Sequence, residues 1–196
     1  REALVRSREG VDGIFVKGVD LSIENAIALK YMVAGSYDIA HMDGAGAKLV
    51  IGRKLARRLA LDIGDRAVIF SVGRMLEGKQ ARAMQFRVTG IYESGMAEYD
   101  DIYGFTDLRD AQSLFQIKDA VNGYDVQLSR VDSADAISER VSNLLGYPHY
   151  SRTVFESYRN LFSWIELQKK PIPIILGLII VVATVNIIGT LLMMVL

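Results

Sequence analysis

Residues 171–196 read PIPIILGLIIVVATVNIIGTLLMMVL, without one charged side chain. A bilayer core of about 30 Å needs roughly 20 apolar residues at about 1.5 Å of rise each. The run is longer than that and can cross with some tilt. Its place at the C-terminal end rules out a secretory signal. A buried helix of a soluble protein is the alternative, and the length of the run argues against it. Asn186 is its most polar side chain, and an amide in lipid seeks another helix rather than acyl chains. Thr184 and Thr190 can satisfy themselves on backbone carbonyls. Gly177 and Gly189 permit close helix approach. Interhelical packing and the lining of a substrate path both account for these residues.

Just upstream, Thr153 followed three residues later by Glu156 fits a capping box. The helix it opens carries Phe155, Leu161, Phe162 and Ile165 and ends near Lys169-Lys170. Residues 153–170 are thus expected to form an amphipathic connector helix that feeds the spanning helix at 171–196. Trp164 lies near the membrane entry. The headgroup layer and a soluble domain are equally good partners for it.

Residues 1–152 carry shorter signals. Gly13–Val19 and Arg66–Val72 have the composition of strands, and Lys48–Ile51 is a brief apolar one. Met84, Phe86 and Val88 alternate with polar residues, as do Tyr124, Val126 and Leu128, which predicts two half-buried strands. Gly90 breaks the first alternation and suggests a bulge. Ile23, Ile27 and Tyr31 predict a short helix. Ile51, Leu55 and Leu59 recur every four residues opposite Arg53, Lys54, Arg57 and Arg58, an amphipathic helix. Gly44-Ala45-Gly46 is a turn. Asp107 can cap a helix bearing Leu108, Ala111, Leu114 and Phe115. Ser133 can cap another, with Ile137, Val141, Leu144 and Leu145 facing inward. The order of elements predicts an α+β domain of two lobes, a mixed sheet with short helices.

Chemistry is sparse. The chain of 196 residues balances 23 basic against 23 acidic side chains, so no basic patch points to nucleic acid. It has no cysteine, which excludes disulfides and thiolate metal sites. Gly73–Lys79 fits the G-x4-G-K opening of a phosphate-binding loop. Gln80 stands where Ser or Thr would hold Mg²⁺, and a strand pattern follows, so a hairpin loop is the better reading. Glu98, Asp100 and Asp101 cluster beside Tyr99 without calcium-loop spacing, as a solvated loop would. His41 and His149 have no ligand partner at helical spacing. No G-x-S-x-G is present. No catalytic residue, cofactor or metal is assigned. The expected work is binding, and movement with the membrane helix.

Four segments carry a family resemblance. Ile51-Gly-Arg-Lys-Leu-Ala-Arg-Arg-Leu-Ala-Leu-Asp-Ile-Gly-Asp65 resembles the iviG-x-x-lA-x-x-L-x-l-x-x-GD signature of FtsX-like ABC transporter permeases with a MacB-like periplasmic core domain. Residues 86–100 (FRVTGIYESGMAEYD), 122–128 (NGYDVQL) and 178–195 (LIIVVATVNIIGTLLMMV) resemble, in order, further segments of the lipoprotein-releasing permeases LolC and LolE.

The resemblance implies a permease with four transmembrane helices and a large periplasmic domain between the first two. Residues 1–152 would be most of that domain, lacking its start, and 171–196 the second helix. The chain starts at Arg1 without Met or a targeting segment, as a fragment would. The implied setting is the bacterial inner membrane, with residues 1–170 in the periplasm. Partners would be a cytoplasmic ABC ATPase, a second permease subunit, identical or homologous, lipoprotein cargo, a periplasmic carrier and membrane lipid. The subunit would hydrolyse nothing and transmit the motion of the ATPase. Val182, Asn186, Ile187 and Met193 are the candidates for cargo or helix contact. A MacB-like export permease and an FtsX-like scaffold regulating cell-wall hydrolases are the alternatives.

Two departures stand out. The carrier-capturing hook of LolC would fall at Gln116–Asn122, which is short and holds no proline. A missing hook and a shortened one both fit, and Gln116, Ile117, Lys118 and Val121 are the carrier-contact candidates. Lys169-Lys170 stand on the implied periplasmic side, against the positive-inside tendency, which counts whole loops.

Overall fold

The computed structural model describes residues 1–21, 27–42, 44, 46–72, 82–169 and 171–195. They fall into two units, Arg1–Tyr124 and Asp125–Leu196.

In the first unit, Leu49, Val50 and Ile51 are all fully buried. Leu49 and Ile51 belong to one apolar cluster and Val50 to another, so their strand is packed on both faces. This strand, β4 (Ala47–Gly52), lies between a parallel neighbour, β6 (Ala83–Tyr92), and an antiparallel one, β7 (Tyr103–Asp107). β7 pairs in parallel with β2 (Val11–Val19), β2 antiparallel with β1 (Glu2–Arg6), and β1 antiparallel with β5 (Arg66–Ser71). β5 returns to β6, antiparallel, and closes the strands into a ring. Closure leaves these strands without open edges. β3 (Met32–Gly35) adds outside the ring, on the C-terminal end of β6.

Ala3, Val5, Ile14, Val16, Ala67, Ile69, Phe86 and Val88 join Leu49 and Ile51 in one cluster. Each fully buried Val, Ile, Leu or Phe is worth about 1.5–3 kcal/mol over an exposed one. Helix α2 (Arg53–Arg58) adds Leu55 and Ala56. Two short helices, α1 (Ile27–Lys30) and α3 (Ala97–Ile102), lie in the connections, and α4 (Leu108–Phe115) adds Ala111, Leu114 and Phe115 to the cluster. The Asp107 carboxylate accepts from the Arg109 N–H at 2.8 Å, as the capping pattern predicts. A second cluster, Val19, Ile39, Val50, Tyr92 and Phe105, packs with Tyr37 and Tyr103.

The segment Ile51–Asp65 has a physical reason at each fixed position. Gly52 passes so close to α3 that an added Cβ would run into the Asp100 backbone. Leu55, Ala56, Leu59 and Leu61 are buried. Gly64 turns at φ 93°, a left-handed conformation that favours glycine. Its N–H donates to the Val88 carbonyl at 2.7 Å, and the Asp65 carboxylate accepts from the Asp62 N–H at 2.9 Å. Ile51 still belongs to β4, so the helix begins after Gly52 rather than at Ile51. The break at Gly90 is real: the register of β4 on β6 shifts between Leu49 and Val50, which pair with Val88 and Gly90.

The second unit holds α5 (Ala134–Leu145), α6 (Val154–Ser157), α7 (Arg159–Lys169) and α8 (Pro171–Val195). Three expectations need correction. Tyr124, Val126 and Leu128 form no strand, and Tyr124 is 87% exposed. Alternation stabilises a strand only where it pairs with an edge, and these residues pair with no described strand. Ile137, Val141, Leu144 and Leu145 are not buried, and Leu144 is 82% exposed. Ser133 sits at the N-cap of α5 but makes no capping bond; its hydroxyl donates to the Arg130 carbonyl at 2.8 Å. All described strands belong to one sheet, so a second lobe has no sheet of its own among the described residues. Ile23, Ala45 and the G-x4-G-K segment from 73 to 79 lie outside the described residues.

Candidate functional site

The connector and the apolar helix are built from the capping box. The Glu156 N–H donates to Thr153 Oγ1 at 3.2 Å, and the Thr153 N–H donates to Glu156 Oε2 at 3.0 Å. One turn follows, then a break at Tyr158, then α7. The Phe155 and Phe162 rings meet edge to face across that break, with centroids 4.9 Å apart. Trp164 is exposed. From Arg159 to Val195 the chain is helical and apolar enough to cross a membrane by length and composition, with Lys170 outside the described residues.

No described side chain of α8 is buried. The Thr184 hydroxyl donates to the Ile180 carbonyl and the Thr190 hydroxyl to the Asn186 carbonyl, both at 2.8 Å. Both hydroxyl protons are thereby used within the helix. The Asn186 amide makes no side-chain hydrogen bond among the described residues, so it is the polar group that still seeks a partner. At about 100° per residue, Val182, Asn186, Gly189 and Met193 fall within about 60° of one another on one face of α8. Ile187 lies about 100° round from Asn186, and Gly177 about 120° from Gly189. Three of the four candidates therefore share a face with the small Gly189, and Ile187 lies off that face.

The Gln116–Asn122 segment is a closed loop. Gln116 ends α4 at φ 54° and Lys118 adopts φ 51°. The Ile117 N–H donates to the Gln112 carbonyl and the Ala120 N–H to the Ile117 carbonyl, each at 3.1 Å. The Gln112 side chain donates to the Ala120 carbonyl at 3.1 Å. Ile117 packs against the main core, while Gln116, Lys118 and Val121 are exposed.

Two polar sites escaped the sequence. Asp100 is 2% exposed rather than part of a solvated loop. Its carboxylate accepts from the Ser94 N–H at 2.7 Å, the Ser94 hydroxyl at 2.8 Å and the Gly95 N–H at 3.1 Å. Asp101 pairs with Arg58 at 2.8 Å and Lys54 at 3.6 Å. Tyr92 places its hydroxyl 2.8 Å from the Tyr99 carbonyl, and burial raises its pKa. The buried Asp110 carboxylate meets His41 Nδ1 at 2.7 Å, and its Oδ2 has no partner among the described residues. Burial raises the Asp110 pKa, with His41 pulling it down. Among the described residues no group of three or more metal-binding side chains converges.

The sequence profile of the MacB-like periplasmic core domain matches residues 2–144. The chain belongs to this MacB-like family. The match ends before the connector helix, while similarity to one curated relative continues past it. The lipoprotein-releasing system transmembrane protein LolC of Neisseria meningitidis serogroup B is 28% identical over 98% of this chain and 47% of its own length. The LolC proteins of two Xylella fastidiosa strains are each 26% identical over 75% of this chain and 36% of their own length. The chain spans about half the length, or less, of the curated relatives it matches. The expected kinship with FtsX-like and MacB-like permeases holds.

Proposed function

We propose that this MacB-like chain is part of an ABC transporter permease that releases lipoproteins from the inner membrane for transfer to a periplasmic carrier. The observation that carries the reading is the span of the similarity to Neisseria LolC, which takes in the folded domain and the apolar helix alike. The domain would lie in the periplasm, with α8 in the inner membrane. A cytoplasmic ATPase would supply the work and this subunit would hydrolyse nothing. A second permease subunit, identical or homologous, would complete the pair. The capping box and α7 support a mechanical role, because they tie the start of the connector to a helix that runs on toward α8.

On this reading the face of Val182, Asn186 and Met193 meets the partner's helices or the acyl chains of the cargo, and Ile187 makes its contact from another side of the helix. Gln116, Lys118 and Val121 are exposed for carrier contact, with Ile117 as their anchor in the core. The residues assigned as one domain are 1–152, with 153–170 as connector and 171–196 as the spanning helix.

Depletion of the whole protein tests the reading. Lipoproteins bound for the outer membrane should then remain in the inner-membrane fraction. Normal lipoprotein sorting would refute it. The closed loop at Gln116–Asn122 favours one second reading, a MacB-like export permease with no carrier to capture; normal sorting with loss of export of another substrate would select it. An FtsX-like scaffold would instead show itself by binding a cell-wall hydrolase.

A further inference from the structure

Strands β4, β6 and β5 lie side by side, and their register sets three cations in a row. Lys48 stands opposite Arg87, and Arg87 opposite Arg66. Leu49, Phe86, Val88 and Ala67, their neighbours in the chain, are all in the core. Alternation therefore turns the three cations outward. Two residues along from Arg66, Val68 stands opposite Arg6 of β1 on the same outer face. Adjacent strands are about 4.8 Å apart, so these cations form one cluster. Like charges directly opposed across two strands weaken the pairing. No described carboxylate bonds to either member of the Arg66–Arg87 pair.

The charges around the cluster do not cancel it. Lys48 is held by both oxygens of Asp38 at 2.8 Å. Arg6, Arg66 and Arg87 are exposed, and among the described residues none forms an ion pair or a side-chain hydrogen bond. The Arg6 guanidinium lies over the Phe70 ring, 5.3 Å from its centroid. Asp65 precedes Arg66, and its carboxylate accepts from the Asp62 N–H. Asp62 shares the groove between β3 and α2 with Arg57. Arg8 and Glu9 share the β1–β2 turn, one charge of each sign. Glu2 is four residues along β1 from Arg6, about 13 Å, which exceeds a Debye length of about 8 Å. With Asp65 set wholly against Arg66, the charges of Arg6 and Arg87 still stand open.

Apolar side chains fill the gaps. Val68 and Phe70 are half-buried, and Leu4 and Val11, opposite Phe70 and Arg6, are 39% and 60% exposed. No residue of this face lines the groove at Arg57 or the cavity at His41. Protein partners are anchored by side chains seated in pockets. A cationic surface without a pocket suits a layer of anionic headgroups, to which each basic residue near the surface adds attraction. Helix α8, read as membrane-spanning, makes a bilayer the partner at highest effective concentration.

We propose that the outer face of β1, β5 and β6, centred on Arg6, Arg66 and Arg87, docks on an anionic phospholipid surface. The inference rests on the reading of α8 as a membrane helix and on no transported substrate.

The test uses the full-length protein in nanodiscs of phosphatidylcholine, with or without phosphatidylglycerol. A fluorophore is attached at Gln85→Cys, an exposed position on this face beside Val68. Headgroup nitroxide should quench it only when the anionic lipid is present, and high salt should remove the quenching. Arg66→Gln combined with Arg87→Gln should abolish it. Both arginines are exposed and repel each other, so this double variant should melt no lower than wild type. A fluorophore at Leu178→Cys, quenched by acyl-chain nitroxide in every nanodisc, reports separately that α8 is inserted. Absence of that signal removes the premise and overturns the proposal with it. With α8 inserted, an unquenched Gln85→Cys label overturns the proposal, as does quenching indifferent to lipid charge or to the double variant. A label shielded from aqueous acrylamide but not reached by the headgroup nitroxide assigns the face to a protein partner and overturns it too.

Discussion

The two units treat apolar side chains in opposite ways. In residues 1–124 a closed ring of strands and the helices α2 and α4 bury them in two apolar clusters. In residues 125–196 no described residue of α5, α6, α7 or α8 is buried. The comparison shows that exposure has two meanings here. Helix α5 has the one-sided pattern of a surface helix, yet Leu144 on that side is open. Helix α8 is apolar around its whole circumference, a pattern that belongs in a core or a bilayer. For α8 the exposed surface is long and apolar enough to cross a membrane.

The largest expected effect lies in the first unit. Phe86→Ala should destabilise it by about 3–5 kcal/mol, because Phe86 is fully buried and its loss leaves a cavity. Ile175→Ala on α8 should leave the melting of that unit unchanged. Equal losses for the two variants in thermal denaturation would break the contrast. Asn186→Leu should weaken assembly or transport by roughly 0.5–2 kcal/mol while the first unit stays folded. Unchanged complex yield and unchanged release activity would remove Asn186 from any interface. Thr153→Ala should cost the start of the connector about 1 kcal/mol. Hydrogen exchange at residues 154–157 would report it, and unaltered protection there would show that the box holds nothing.

The smallest effect is one of pH. Burial places the Asp110 pKa above its ordinary value, so the folded state keeps this proton to higher pH than the unfolded state. Its contribution to stability is therefore full at low pH and lost as pH rises through the folded pKa. Asp110→Asn removes the titration, so the variant should gain on the wild type as pH rises above about 4. A pH-independent difference in melting temperature would contradict this.

Much of the first unit was legible because half-buried strands alternate and surface helices repeat every three or four residues. β2, β5, β6, α2 and α4 follow those patterns. β7 did not show, because Gly104, Phe105 and Thr106 are all buried and nothing alternates. β1, β3 and α3 did not show either. The pattern at Tyr124–Leu128 misled for the converse reason: a strand needs an edge, and a sequence pattern cannot show whether one is at hand. At the candidate site, the shared face of Val182, Asn186 and Met193 follows from helical arithmetic alone. Two other features needed coordinates. Ile117 turns into the core, and the Asp110–His41 contact joins residues 69 apart in the chain.

A photo-crosslinker placed in turn at Val182, Asn186, Ile187 and Met193 of the whole protein, in living cells, tests the central claim most directly. Our account predicts adducts with acylated lipoprotein or a partner permease helix from Val182, Asn186 and Met193, and weaker ones from Ile187. Adducts with bulk phospholipid alone from all four positions, in a complex that still transports, would contradict it.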